Sequence, residues 1–193
     1  MSQVKTAKTT YPVSEIIKNR WSPRSFSEQP ISEEQLLTII EGASWAMSAN
    51  NEQPWRFITT LKNSQTFTDI LNCLNPMNQL WAKNGAAFVV SLAKTTFDKE
   101  GNPPNHYAEH DTGLANATLI MQASTMGIYS HVMAGFNHQQ LSETFNLDAS
   151  LKPLTRIVLG YLGDADALEE PFKTRELTPR TRKDLSEIIL NKN

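Results

Sequence analysis

The sequence predicts an α+β domain, with three or four strands set among five or six helices. Three observations carry this. Runs rich in β-branched and aromatic residues (Trp55–Leu61, 86–93, Tyr129–Met133 and 156–162) read as strands. Helical segments separate them, but not in regular βαβ alternation, so an α+β class is expected over a doubly wound sheet. There is no G-x-G-x-x-G and no G-x-x-x-x-G-K-[ST], which removes the dinucleotide Rossmann loop and the P-loop.

The elements follow in order. Residues 1–11 read as a flexible segment ahead of a single domain at 12–193. Pro12 to Glu15 opens a short helix ending near Asn19. The Ser- and Pro-rich run 20–30 (RWSPRSFSEQP) is an ordered loop. Ser32 caps the next helix, with Gln35 closing a capping box, and apolar Leu36, Leu37, Ile39, Ile40 and Ala43 continue it to about Ala46. The loop MSANNEQPW (47–55) concentrates three amides, Asn50, Asn51 and Gln53, and leads into the strand WRFITTL. Residues 64–74 form a helix and 75–85 a mixed segment.

The continuous apolar run AAFVVSLA (86–93) reads as a central strand. A loop with Gly101, Pro103 and Pro104 follows. Residues 110–126 form the strongest helix, apolar over most of its circumference, which predicts burial in a core or against a partner chain. Gly127 ends it. A strand at Tyr129–Met133, a turn at 135–137, a helix near 138–146 and a strand at 156–162 come next. A basic tail at 173–183 and a short apolar segment at 185–190 close the chain.

Composition limits the function classes. The 193 residues are 39% hydrophobic and 20% charged, with net charge −2 and a pI of about 6.1, which gives no general attraction to nucleic acid or anionic membrane. The longest strongly apolar stretch, 86–93, is far below the ~20 residues of a membrane helix. The first residues carry two lysines but no apolar core of a secretory signal. The single cysteine, Cys73, precludes an intrachain disulfide and a multi-cysteine zinc site, and fits a reducing, cytoplasmic location.

Three constellations could carry chemistry. His106, Glu109, His110 and Asp111 sit within six residues, and two histidines at i, i+4 can bind zinc. The glutamate is not placed as in H-E-x-x-H, however, and a polar helix start explains the cluster as well. Cys73 lies in an apolar run with no basic neighbour and reads as a core thiol. Arg20 and Arg24 flank Ser22, and Arg180 and Arg182 lie near the C-terminus. Arginine forks with a serine hydroxyl and backbone N–H groups suit a phosphate; each arginine alone could equally be solvated surface.

At these residues the chain resembles the flavin-dependent nitroreductase family. Arg20 through Phe26 (RWSPRSF) resembles the family's R-x-S-x-R-x-F opening. Ala46 through Phe57 (AMSANNEQPWRF) resembles A-P-S-x-x-N-x-Q-P-W-x-F. Gly127 through Phe136 (GIYSHVMAGF) resembles G-[LI]-x-S-x-x-x-x-G-F. Leu159-Gly160-Tyr161 and Arg180-Thr181-Arg182 also fit, so the resemblance spans roughly residues 14–190. Met47 replaces the motif proline, and Ala134 stands where some members carry glutamate.

The resemblance implies a nitroreductase-like α+β fold, with a central, mainly antiparallel sheet flanked by helices, in an intertwined homodimer with FMN in its interface and NADH or NADPH as electron donor. It implies that Arg20, Trp21 and Ser22 hold the phosphate and ribityl end, Arg24 lies near the pyrimidine edge, and Arg180 and Arg182 return to the phosphate. Asn51 and Gln53 would hydrogen-bond the ring or ribityl, Asn50 would shape the turn, and the backbone of Met133, Ala134 and Gly135 would face flavin N5. The implied activity is NAD(P)H oxidation with ping-pong reduction of a nitroaromatic, quinone or similar small acceptor. The flavin carries the chemistry, so no catalytic side chain and no metal is expected. Two other functions remain open: a flavin-binding sensor or carrier with little turnover, and a metal-dependent hydrolase using His106 and His110.

Overall fold

The computed structural model describes residues 3–191. Its centre is a four-stranded antiparallel sheet of β1 (Trp55–Leu61), β2 (Ala87–Lys94), β3 (Tyr129–Met133) and β4 (Leu151–Gly160), in the order β1-β2-β4-β3. The helices are α1 (Glu15–Asn19), α2 (Glu33–Ser44), α3 (Gln65–Asn72), α4 (Pro76–Ala82), α5 (Ala108–Thr125), α6 (His138–Thr144), α7 (Phe172–Leu177) and α8 (Leu185–Ile188). The expected α+β class and mainly antiparallel sheet are both present.

The alternation of side chains along a strand sorts the core into two layers. Val89, Ile157 and Leu159 face α2 and α5, where Ile39, Ala43, Leu119 and Ala123 meet them. Phe88, Val90 and Val158 face the other way, onto Phe67, Ile70, Trp81 and Leu141 of α3, α4 and α6. β2 is buried along its whole length except Lys94, as its continuous apolar run predicts.

Three elements differ from the sequence expectation. β4 begins at Leu151, five residues before the predicted 156. Pro153 hides this early half; it is accommodated where the β2–β4 register shifts between Ser91 and Leu92. The mixed segment 75–85 contains α4, started by Pro76 at its first turn and by Asn75, whose Oδ1 accepts from Asn78 N at 2.8 Å. The basic tail contains α7, held by buried Phe172 and Glu176.

α5 buries only one face, through Ala108, Asp111, Thr112, Ala115, Asn116, Leu119 and Ala123. Its Leu114, Ile120 and Met121 are half-buried and Ala117 is exposed. In the single chain, part of this apolar surface therefore still meets solvent. Among the described residues no helix is long and apolar enough to cross a membrane.

Residues 1–11 were expected to be loose; within them Gln3–Lys5 form a 3-10 turn and Lys5 is buried. Its Nζ donates to the carbonyls of Arg175 (2.7 Å) and Thr178 (2.6 Å), closing off the end of α7.

His131 joins the edge strand β3 to the loop before it in space. Its Nδ1–H donates to Pro23 O at 2.8 Å, and its ring lies 4.5 Å from that of Trp81. Burial, with smaller contributions from nearby Arg24 and Arg20, lowers its pKa from 6.5 to about 4, although the bonds to Pro23 and Ser22 oppose this. The folded state thus holds the ring neutral where the unfolded chain would protonate it. Between about pH 4 and 6.5 the unfolded state binds more protons, so stability must rise with pH across that window. His131→Gln is expected to flatten this slope, removing on the order of 1–3 kcal/mol of pH-dependent stability between pH 6.5 and 4. Urea denaturation of both proteins at a series of pH values checks it; an unchanged slope contradicts the assignment.

Candidate functional site

The loop carrying Arg20 to Phe26 is pinned at both ends. Trp21 is buried, edge-on to Tyr129 with ring centroids 6.2 Å apart. Phe26 bridges to Leu162 and lies in the core, and Ser27 N donates to Tyr161 O at 2.9 Å. Between these anchors, the Glu176 carboxylate accepts from Arg24 N (3.0 Å) and Ser25 N (3.1 Å), while Ser25 Oγ donates to Asp164 O at 2.6 Å. Glu176 is 3% exposed, and burial raises its pKa against the opposing effect of these bonds and of Arg24 and Lys5.

This arrangement brings Arg20, Ser22, Arg24, Arg180 and Arg182 to one corner of the molecule. Arg180 donates to the carbonyls of Arg20 and Lys18, and Arg20 Nη1 donates to Ser22 Oγ at 3.4 Å. The Arg24 guanidinium lies 5.7 Å from the centre of the Trp81 ring. Burial lowers the pKa of Arg20 and Arg180; Arg182 lowers both further, and Arg20 adds to the effect on Arg180. Among the described residues no carboxylate makes an ion pair with any of these four arginines. Arg180 Nε and Trp81 Nε1 are buried donors without an acceptor among the described residues. Unbalanced cations with spare donors suit a phosphate monoester, which takes arginine forks and a hydroxyl at its oxygens.

A wall leads away from this corner along the β3 edge. Arg24 faces Trp81, Trp81 faces His131, and Asn78 lies one turn before Trp81 on α4. Met133 is buried at the end of β3, whereas Ala134 and Gly135 are exposed. Asn75 N donates to Gly135 O at 3.3 Å. A Cβ on Gly135 would sit 2.5 Å from Asn75 Nδ2 and 3.7 Å from Asn78 Nδ2, so glycine permits this close approach. Asn75 and Asn78 are site candidates that the sequence reading did not single out. Their signal was available: an Asn-Pro-x-Asn amide pair on one helix start, akin to the amides of the 47–55 loop.

That amide loop lies elsewhere. Ala49 N donates to the buried Asp111 carboxylate at 2.9 Å, tying the loop to the start of α5. Gln53 N donates to Ser48 Oγ (3.0 Å) and Gln53 Nε2 to Asn51 O (3.0 Å). Asn50, Asn51 and Gln53 all have positive φ, at 54°, 56° and 52°. The left-handed backbone thus accounts for part of the amide content at Asn51 as well as Asn50, since asparagine tolerates it best after glycine. All three side chains are exposed.

Strand register measures the separation. Trp55 pairs through Ala93 with Lys152 of β4, whereas Tyr129 pairs with Gly160 at the far end of β4. Eight residues along the strand and three strand spacings across it amount to roughly 30 Å. Within one chain, Arg20, Arg24, Arg180 and Arg182 gather with Trp21, Ser22 and the Met133–Gly135 segment along one edge; Asn51 and Gln53 stand at the opposite corner.

The His106–Asp111 cluster forms no metal centre here. His110 Nδ1 is bonded to Asp111 Oδ1 at 2.9 Å, and the other Asp111 oxygen is taken by Ala49 N. Among the described residues no three His, Cys, Asp or Glu side chains gather as ligands.

Comparison with known proteins agrees with this architecture. The model of the nitroreductase family matches residues 17–75 and 74–161. A Streptococcus pyogenes protein, by its name an inferred NAD(P)H nitroreductase, is 24% identical over 190 residues, covering 81% of this chain and 92% of its own. A crystal structure described as an oxidoreductase containing FMN is 31% identical with a TM-score of 0.92, covering 96% of this chain and 94% of that one. An inferred nitroreductase from Desulfovibrio desulfuricans, crystallised with FMN, shares the fold at 18% identity and a TM-score of 0.74, covering 96% and 99% of the two chains. With its sheet, its loops and more than half of its length matched in this way, the chain belongs to the nitroreductase family.

Proposed function

We propose that this chain is an FMN-dependent NAD(P)H oxidoreductase that passes electrons to a nitroaromatic, quinone or similar small acceptor by a ping-pong cycle. The observation that carries the reading is the corner of four arginines without an ion-pairing carboxylate among the described residues, opening onto a wall that ends at exposed Gly135. Bound FMN would supply the hydride chemistry, taking two electrons from NADH or NADPH and giving them to the acceptor.

The chain's own residues bind, orient and polarise. Arg20, Arg180 and Arg182, with Ser22, would hold the phosphate, and buried Trp21 fixes the loop that presents them. Arg24, held over Trp81, would place positive charge near the pyrimidine edge, where charge accumulates on reduction. Asn75 and Asn78 would offer amide donors and acceptors to the same ring, and the Met133–Ala134–Gly135 backbone would stand against N5.

Asn51 and Gln53 would reach a flavin held by a second copy. The diagonal separation in one chain supports such a homodimer, as does the open apolar face of α5. The C-terminal segment adds to this support: Leu185, Ile188, Ile189 and Leu190 are 50%, 58%, 51% and 90% exposed. Two intertwined copies would cover both surfaces. The buried free thiol of Cys73 fits a reducing cytoplasm.

The phosphate assignment predicts that Arg20→Ala with Arg182→Ala weakens FMN binding by about 100-fold or more, two charge-assisted contacts being lost. Fluorescence titration of the apo-protein measures this, and an unchanged Kd contradicts the assignment. The shared site predicts complementation. Dimers that pair an Arg20→Ala/Arg182→Ala copy with an Asn51→Ala/Gln53→Ala copy should recover one tight FMN per dimer, while dimers of either variant alone bind weakly. Absence of recovery in isolated mixed dimers would place the amides and arginines at the same chain's flavin or at none.

A further inference from the structure

Arg156 is a buried charge that none of the preceding roles uses. It lies in β4 and is fully buried, at 0% exposure. Its Nη1 donates to Cys73 O at 3.3 Å, and its guanidinium stacks on Phe136, 4.0 Å from the ring centre. Among the described residues its Nε and Nη2 have no acceptor and no carboxylate pairs with it. Burial lowers its pKa to about 10, with Cys73 opposing, so it remains a cation at neutral pH.

A cation buried without a counter-charge costs stability, and a well-packed apolar residue of similar shape would usually remove that cost. The surroundings suggest what the charge serves. Arg156 is the cross-strand partner of Met133, so their Cα atoms are about 5 Å apart. Phe136, beneath the guanidinium, directly follows Gly135. Cys73, which accepts its hydrogen bond, also accepts from Asn137 N at 3.1 Å and lies two residues before Asn75. Arg156 thus ties together the two backbone segments, 73–75 and 133–137, that would line the flavin ring. The permanent charge stands directly behind that wall.

We propose that Arg156 tunes the bound flavin: its buried positive charge favours the reduced, more negative cofactor over the oxidised one. The inference rests on the FMN reading above. A hydride brings two electrons and one proton, so its transfer oxidises the nicotinamide and adds one unit of negative charge to the flavin. That added charge is the counter-charge Arg156 lacks. In a low-dielectric wall, with little screening by water or salt, the attraction reaches beyond direct contact.

The experiment compares the FMN-loaded unaltered protein with Arg156→Met, which keeps much of the shape and removes the charge, and Arg156→Lys, which keeps the charge. The Met variant should bind oxidised FMN within about threefold of the unaltered protein and melt no lower. Its preference for reduced over oxidised FMN should fall about tenfold, a midpoint potential about 30 mV more negative for the two-electron couple. Arg156→Lys should restore at least half of that shift. If Arg156→Met does not fold, Arg156→Gln repeats the neutral case. An unchanged potential in the neutral variant overturns the inference and leaves the FMN reading standing. Equal shifts in the Lys and neutral variants also overturn it, because they would report distortion rather than charge. If the unaltered protein takes up no FMN, both readings fall together.

Discussion

The site depends on where one carboxylate is spent. Glu176 lies within reach of several cations, yet it uses its oxygens on the backbone N–H groups of Arg24 and Ser25. An acid paired with a guanidinium would neutralise the corner and fill the place of a ligand. Gripping the backbone instead fixes the loop from inside and leaves the guanidinium groups of Arg20, Arg180 and Arg182 without a salt bridge among the described residues. Lys5 and α7 complete the frame: the ammonium closes the carbonyl end of α7, and α7 carries Glu176. Folding thereby holds like charges together, and on the proposed reading a dianionic ligand would relieve the repulsion that results.

The sheet then determines what a single chain can and cannot do. Its four strands place the arginine corner and the Met133–Gly135 backbone along the β3 edge, and the amide loop beyond the start of β1. No hinge within a packed four-stranded sheet brings such corners together. A second copy can, and the partly exposed apolar face of α5 and the apolar C-terminal segment offer it surface to bury. On this account dimerisation completes the cofactor site rather than merely enlarging the protein.

Much of this was legible in the sequence. The central strand at 86–93, the capped helix from Ser32 and the Arg, amide and Gly-Phe motifs can all be read from local pattern. What was not legible has identifiable reasons. Pro153 masks the first half of β4 because the register shift that accommodates it, where Leu154 is left unpaired between Thr155 and Pro153, cannot be read locally. Glu176 sits in a basic tail and looks like a surface acid; its burial depends on a contact 151 residues away in sequence. The Asn75 and Asn78 amide pair is visible in the sequence but looks like an ordinary helix start, and the approach of Gly135 is what marks it as a site candidate. Asn51 and Gln53 were attributed wholly to ligand chemistry, whereas their positive φ values show that backbone conformation also selects amides there. Arg156 reads as the first residue of a strand, because local pattern does not show β4 beginning at Leu151.

The central claim is that the arginine corner exists to hold the phosphate of a flavin nucleotide. Riboflavin carries the same ring and ribityl chain as FMN and lacks only the phosphate, so comparing the two isolates that corner. Titration of the apo-protein with each, at one salt concentration, is the most direct measurement. The account predicts that FMN binds at least about 100-fold more tightly than riboflavin, with the difference shrinking as salt is raised. Equal affinities within about threefold, or no binding of either, would contradict it.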